Sequence, residues 1–402
     1  MICHSNNQYH QDVLMNLLNL CRAIAATGTA MLIVAGASAQ AASISGLGTV
    51  PNGIFSFVWD VSADGSTAVG YNSVVNGLEA FRWTENDGMV SLGDLPGGIF
   101  NSLGADASAD GSVVVGRGAS TGFEAFRWTE NDGIAGLGDL PGGRFSSFAR
   151  GVSADGSVVV GSSNGPNGTE AFRWTENNGM VGLGSLPGGN FFSNAFGISA
   201  DGSVVVGSSN SANGSEAFLW TENDGMVGLG DLPGGSFVST ALDVSANGSV
   251  IVGNSRSTNG SEAFRWTENN GIVGLGDLPG GSFSSIAFGV SADGSVVVGS
   301  SNSANGSEAF LWTKKRGMRS LSSVLANDFK VDLTGWKLDN ARGISADGLT
   351  IVGNGVSPDG NLEGWIAKLD PVPEPLTILG SVSALGIGAC LKRKYDKRKR
   401  NA

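Results

Sequence analysis

The 402-residue chain has only three cysteines (Cys3, Cys21, Cys390) and two histidines (His4, His10), and all five lie near its ends. Residues 42–370 therefore contain no thiol, no disulfide and no imidazole. That excludes Cys-His and Ser-His nucleophilic chemistry, and histidine-ligated zinc, from the body of the protein. Positive charge is scarce as well. The first 41 residues hold one basic and one acidic residue, and residues 376–402 hold seven basic and one acidic. Taking these from the totals of 24 and 36 leaves 16 basic and 34 acidic residues in 42–375, a formal charge of −18. Nucleic acid and anionic membrane surfaces do not suit such a body, whereas cations and neutral polar surfaces do. Amphipathic windows of helical length are missing too, which turns attention to strands.

What is present is a repeat. Ser199–Gly235 reads SADGSVVVGSSNSANGSEAFLWTENDGMVGLGDLPGG, and versions of it fill most of the chain. The 64 glycines fall at fixed places in this repeat beside Val, Phe and Trp, which separates it from low-complexity disorder. Trp83, Trp128, Trp174, Trp220, Trp266 and Trp312 follow one another at 45 and then 46 residues, with a worn copy at Trp365. Ser-Ala-Asp/Asn-Gly begins at Ser62, Ser108, Ser153, Ser199, Ser245, Ser291 and Ser345. A unit that cannot bury its own apolar face is stabilised by stacking identical neighbours, and this period suits a four-stranded propeller blade or a helical array.

Composition decides for strands. In the copy from Ala195, AFGIS turns at Asp201-Gly202, SVVVGSS ends at Asn213-Gly214, EAFLWT turns at Asp224-Gly225, and MVGLGDL ends at Pro233-Gly234-Gly235. Asn-Gly and Asp-Gly supply the positive backbone angles of tight hairpin turns, so each unit reads as an antiparallel meander. Val204-Val205-Val206 is apolar on both faces, as in a sheet covered on both sides, and Phe218 and Trp220 share one face as inter-blade core. Ile44–Pro51 copies a fourth strand with nothing before it, and Ile366–Leu369 ends a third strand with no fourth after it. The expected fold is an all-β, seven-bladed β-propeller of ~46-residue units whose ring is closed by the N-terminal strand, with an open β-solenoid as the alternative. One connection, Arg319–Arg342 with Trp336, is longer than its counterparts.

The ends carry addresses. From Met15, a polar start with Arg22 leads to an apolar run from Ala23 to Ala37 and to Ala39-Gln40-Ala41, a small-residue site for signal peptidase. The start is Met1 or Met15. Residues 1–41 thus read as leader and signal peptide, 42–370 as the repeat body and 371–402 as a tail. That tail runs Val372-Pro373-Glu374-Pro375, a 16-residue apolar run Leu376–Leu391, then KRKYDKRKR.

The Ala-Phe-Arg-Trp strand, with Leu-Gly-Asp-Leu-Pro-Gly-Gly and Ser-Ala-Asp-Gly-Ser, resembles the HAF repeat family of extracellular bacterial proteins over roughly residues 44–369. The family's His-Ala-Phe stands here as Glu-Ala-Phe at Glu79, Glu124, Glu170, Glu216, Glu262 and Glu308, so any role of that histidine is lost. The tail resembles a PEP-CTERM sorting signal. The resemblance implies recognition of Val372, Pro373, Glu374 and Pro375 by an exosortase-type membrane peptidase and delivery to the surface or matrix of a Gram-negative bacterium. The basic cluster would sit on the cytoplasmic side, and a run of 16 suits a transient membrane anchor at 376–391 better than a permanent one.

Candidate chemistry is thin. Asp64, Asp110, Asp155, Asp201, Asp293 and Asp347, with Glu85, Glu130, Glu176, Glu222 and Glu268, gather on one face and would suit Ca²⁺, but no dense Asp-x-Asp-x-Asp loop is present and Asp-Gly is ordinary turn chemistry. No cofactor is expected. Asn167, Asn213, Asn259 and Asn305 fit glycosylation sequons and, more simply, hairpin turns. Specificity is expected where copies depart from consensus: Arg117, Phe123, Arg144, Arg150, Phe192, Asp243 and Arg256. Arg144 and Arg150 lie close in sequence and would hold an acidic sugar. The carboxylates recur with the period, which argues against an enzyme with one catalytic pair. The expected role is a structural or binding module of the extracellular matrix with polysaccharide as a partner. A polysaccharide lyase or hydrolase, or a calcium-stabilised adhesin, is the alternative.

Overall fold

A computed structural model describes residues 42–369. The signal pair Ala39 and Ala41, the sorting residues Val372–Pro375 and the apolar run 376–391 lie outside the described residues. Among the described residues no helix is long and apolar enough to cross a membrane.

The fold is all-β, built from repeated four-stranded antiparallel sheets. Four stand alone, and a twelve-stranded sheet is made of three successive meanders joined at single parallel contacts, Ser215 to Val238 and Ser261 to Ser284. The repeat beginning at Gly188 shows the pattern: strands Gly188–Ile198, Val204–Ser211, Ser215–Thr221 and Gly225–Gly228, each antiparallel to the next. The first strand is longer than the AFGIS run suggests, and the fourth is shorter than MVGLGDL. The segment after Gly228 leaves its ladder once Leu229 N has donated to Ala217 O (2.8 Å), and Leu232 then plunges into the core. Glu216 accepts from Gly230 N at 3.0 Å, and Glu124, Glu170 and Glu262 make the equivalent bond, so the glutamate that replaces histidine pins this segment.

Burial explains the repeat. Val205 joins Val160, Ala171 and Leu186 of the preceding unit, whereas Val206 joins Ala241, Ile251 and Phe264 of the following one. Successive valines thus point to opposite faces, and both faces are covered. Phe218 is fully buried at the first of these seams and Trp220 packs beside it, as expected of inter-unit core. Burial of such a phenylalanine is worth about 2–3 kcal/mol. Gly207 makes room for it: a Cβ there would stand 1.9 Å from Asn194 O and 2.8 Å from the Phe218 ring.

Neighbouring units are also stapled by polar groups. Ser193 Oγ accepts from Ala171 N (2.9 Å) and donates to Gly184 O (2.5 Å) of the unit before it, and Ser102, Ser147, Ser239 and Ser285 repeat the arrangement. At one edge Ala109, Ala154, Ala200, Ala246 and Ala292 each donate their amide to the alanine carbonyl of the next unit at 2.9–3.2 Å. Ala346 N donates to Ala63 O (2.8 Å), and Asp64 N to Ala109 O (3.0 Å). The two ends of the body meet: Ser43–Gly46 pairs antiparallel with Leu362–Lys368, Gly48 N donates to Glu363, and Gly364 N donates to Ser56 Oγ at 3.1 Å. The long connection holds a short helix, Leu321–Asn327, capped by Ser320 and burying Leu321, Val324 and Leu325.

Candidate binding channel

The inner strand of each unit carries a β-bulge. The register shifts between Ala149 and Gly151, Ala195 and Gly197, Ala241 and Asp243, and at the equivalent places of the other units. A bulge leaves one residue out of the ladder and re-aims its side chain. Here that residue is Trp59, Ala105, Arg150, Phe196, Leu242, Phe288 or Arg342, and all of them line one cavity of about 450 Å³. The position varies from copy to copy within a repeated frame, as expected of a site built on a repeated scaffold. The turn alanines Ala63 to Ala346 line the end of the cavity where the alanine hydrogen bonds run.

Three arginines stand against aromatic faces here. Arg150 lies 4.2 Å from the Phe148 ring centre and 5.1 Å from that of Phe196. Arg342 lies 4.1 Å from Phe288 and 5.3 Å from both Phe57 and Trp59. Arg117, one layer behind, lies 4.1 Å from Phe123 and 5.3 Å from Phe148. Each contact is worth about 0.5–2 kcal/mol. None of the three takes part in an ion pair among the described residues, and the buried Nε atoms of Arg117 and Arg150 have no hydrogen-bond partner there. Burial, and secondarily the charge of Arg117, pulls Arg150 down to about 10. Burial lowers Arg117 and Arg342 as well.

The residue after the bulge is Asp60, Asp106 or Asp243 in three units and glycine (Gly151, Gly197, Gly289, Gly343) in the other four. Asp106 accepts from Ala107 N (2.7 Å) and from Val152 N of the next unit (2.8 Å). Asp243 accepts from Val244 N (2.7 Å) and from Val290 N of the next unit (2.8 Å). Asp60 accepts from Val61 N (2.7 Å). Burial pushes Asp106 up to about 6 and Asp243 up to about 7. Burial, then repulsion from Asp106 and Asp243, holds Asp60 well above the ordinary carboxylate range.

Two expectations need correction. Arg144 and Arg150 do not form one site: Arg150 lines the channel, whereas Arg144 borders a separate groove of about 410 Å³ with Ile99, Phe123, Phe145 and Asn164. A bulged inner strand turns one inward while the other stays on the loop rim. The carboxylates, too, do not all recur with the period, because the channel's three break it. Of these, only Asp243 was legible as a departure from consensus. Asp60 and Asp106 were missed, although Asp against Gly before the Val/Ala-Ser-Ala-Asp signature was the available signal.

The turn carboxylates are occupied locally. Asp201 Oδ1 accepts from the Ser199 hydroxyl (2.7 Å) and from Ser203 N (3.0 Å), and Asn247 makes the same contacts in its own turn. The turn needs an acceptor oxygen rather than a charge, and Gly202 at φ +71° completes it. Among the described residues no group of three or more His, Cys, Asp or Glu is placed to hold a metal ion.

No family model matches the chain, and no curated protein does. Several solved structures are similar to it in fold. An oligogalacturonate lyase from Vibrio parahaemolyticus is similar at 12% identity and TM-score 0.52, over 82% of this chain and 94% of that one. The β-propeller domain of Cps50 (Swd1) from Myceliophteria thermophila is similar at 11% identity and TM-score 0.46, over 80% and 99%. TolB from Acinetobacter baumannii gives 13% identity and TM-score 0.43 over 65% of this chain, which spans 62% of that protein. At such identities the likeness concerns the fold alone.

Proposed function

We propose that the protein is an exported, non-catalytic binding module of the cell envelope or exopolysaccharide matrix, a seven-bladed β-propeller closed by Ser43–Gly46. Closure is supported by the pairing of that strand with Leu362–Lys368 and by the alanine hydrogen bonds that return from Ala346 to Ala63. An open solenoid would leave both without partners. Export rests on the signal ending at Ala39-Gln40-Ala41, and surface sorting by an exosortase-type enzyme on Val372–Pro375.

The ligand is an acidic oligosaccharide seated in the channel. One observation carries this reading: Arg150 and Arg342 line the cavity against phenyl and indole faces, without a carboxylate partner among the described residues. Burying an unpaired cation is costly, and a ligand carboxylate would relieve that cost while the aromatic faces pack against sugar rings. Calorimetric titration with tetragalacturonate at pH 5 is expected to show binding that uncharged maltotetraose does not match. Arg150→Ala should weaken it about tenfold or more, the loss of one charge-assisted hydrogen bond. Equal binding of both sugars, or binding unaffected by that substitution, refutes the reading.

A second reading, a polysaccharide-acting enzyme, is favoured by the three carboxyl groups that break the repeat symmetry inside the channel. Turnover of an acidic polysaccharide that is abolished by Asp106→Asn would establish it in place of the first.

A further inference from the structure

Beside the two arginines the same channel is lined by three carboxyl groups that the repeat itself does not require. Four units carry glycine at that position, so a side chain there is an addition to the scaffold. The additions are fixed in place. Asp106 and Asp243 are each gripped by two backbone amides, one from the neighbouring unit, and Asp60 by the amide of Val61. No ion pair joins them to Arg150 or Arg342 among the described residues. Their remaining variable is whether they hold a proton.

We propose that Asp60, Asp106 and Asp243 form a charge gate on the channel, admitting an anionic ligand when protonated and repelling it when ionised. This rests on the acidic-saccharide reading of the same site and adds its regulation. Among the residues lining the channel the charged or titratable groups are these three, Arg150 and Arg342. Tyr71, stacked on Phe57, and Arg117, on Phe148, stand one layer behind. With the carboxyls neutral the lining carries two positive charges; with all three ionised its net charge is −1. Within a lumen walled by Trp59, Phe148, Phe196 and Phe288 such a reversal is weakly screened. Burial places the change near neutrality, with Asp106 at about 6 and Asp243 at about 7. Ligand capture is thus favoured in mildly acidic surroundings and release in mildly alkaline ones.

The test is the affinity for tetragalacturonate between pH 5 and pH 8, a range in which the sugar's own carboxylates stay ionised. The wild-type dissociation constant is expected to rise about tenfold or more across it. The variant Asp106→Gly/Asp243→Gly, which installs the residue four other units already use, should reduce that rise to less than about threefold. Asp106→Asn/Asp243→Asn should do the same while keeping the side-chain volume. Binding by the wild type that ignores pH overturns the gate and leaves the saccharide reading standing. Full pH dependence in both double variants also overturns the gate. Failure of tetragalacturonate to bind at pH 5 overturns the saccharide reading and the gate with it.

Discussion

Replacing Ser239 by alanine tests whether polar staples, and not only apolar seams, hold neighbouring units together. Ser239 is fully buried on the inner strand Gly234–Val244, where its hydroxyl accepts from Ala217 N (2.9 Å) and donates to Gly230 O (2.5 Å) of the preceding unit. Alanine removes both bonds and is too small to admit a replacement water without movement. Ala217 is itself fully buried, so its N–H is orphaned at a cost of about 1–3 kcal/mol. Gly230 is only partly buried, and its carbonyl recovers some hydration. The expected net loss is about 2–3 kcal/mol, offset slightly by alanine's easier burial. Urea denaturation of the 42–370 body should show a lower midpoint at unchanged slope. Ser203→Ala, which removes an exposed hydroxyl bonded to Asp201, should cost less than about 0.5 kcal/mol. Ser102→Ala, in a distant unit, should add its own loss to that of Ser239→Ala. A loss below about 0.5 kcal/mol for Ser239→Ala would refute the staple.

Two further outcomes are expected. Native Asp106 and Asp243 keep protons that the unfolded chain releases near pH 4, so they favour folding at low pH and their contribution declines as pH rises from about 4 through 7. Asp110, Asp155, Asp201 and Asp293 act oppositely: seryl hydroxyls hold them below the usual range, and their contribution is lost as pH falls below about 4. The melting temperature should therefore be higher at pH 5 than at pH 8, with a shallower slope in Asp243→Gly; a rise toward pH 8 would contradict the burial argument. Intact mass of the protein recovered from envelope and medium should correspond to a chain beginning near Ala42 and ending near Pro375. A species that retains 376–402 would mean a permanent anchor.

The period, the strand order within a unit and the inter-unit place of Phe218 and Trp220 were legible because each follows from alternation and turn chemistry repeated in register. The pairing of the N-terminal strand with the last sheet was legible for the same reason, since Leu47-Gly48 copies Leu229-Gly230 and its equivalents. The channel was not. A bulge adds one residue to the alternation, so which of Phe148, Ala149 and Arg150 faces inward cannot be read by counting in twos. Arg144 and Arg150 therefore looked like one site and are two. Helix Leu321–Asn327 escaped because seven residues are too few for a periodic signal, and it is held by burial of Leu321 and Leu325 rather than by propensity.

The place where the body begins and ends has a mechanical consequence. Ser43 lies opposite Lys368, and Leu369 N donates to Leu349 O beside the turn alanines, away from the Pro-Gly-Gly loops. Force applied at Leu369 would act on Leu362–Lys368, which is clasped on one side by Ser43–Gly46 and on the other by Thr350–Val356. Tension along that strand loads both rows of hydrogen bonds together, in shear, instead of unzipping them singly. Such a load would therefore meet both rows at once, at the edge remote from the Pro-Gly-Gly loops.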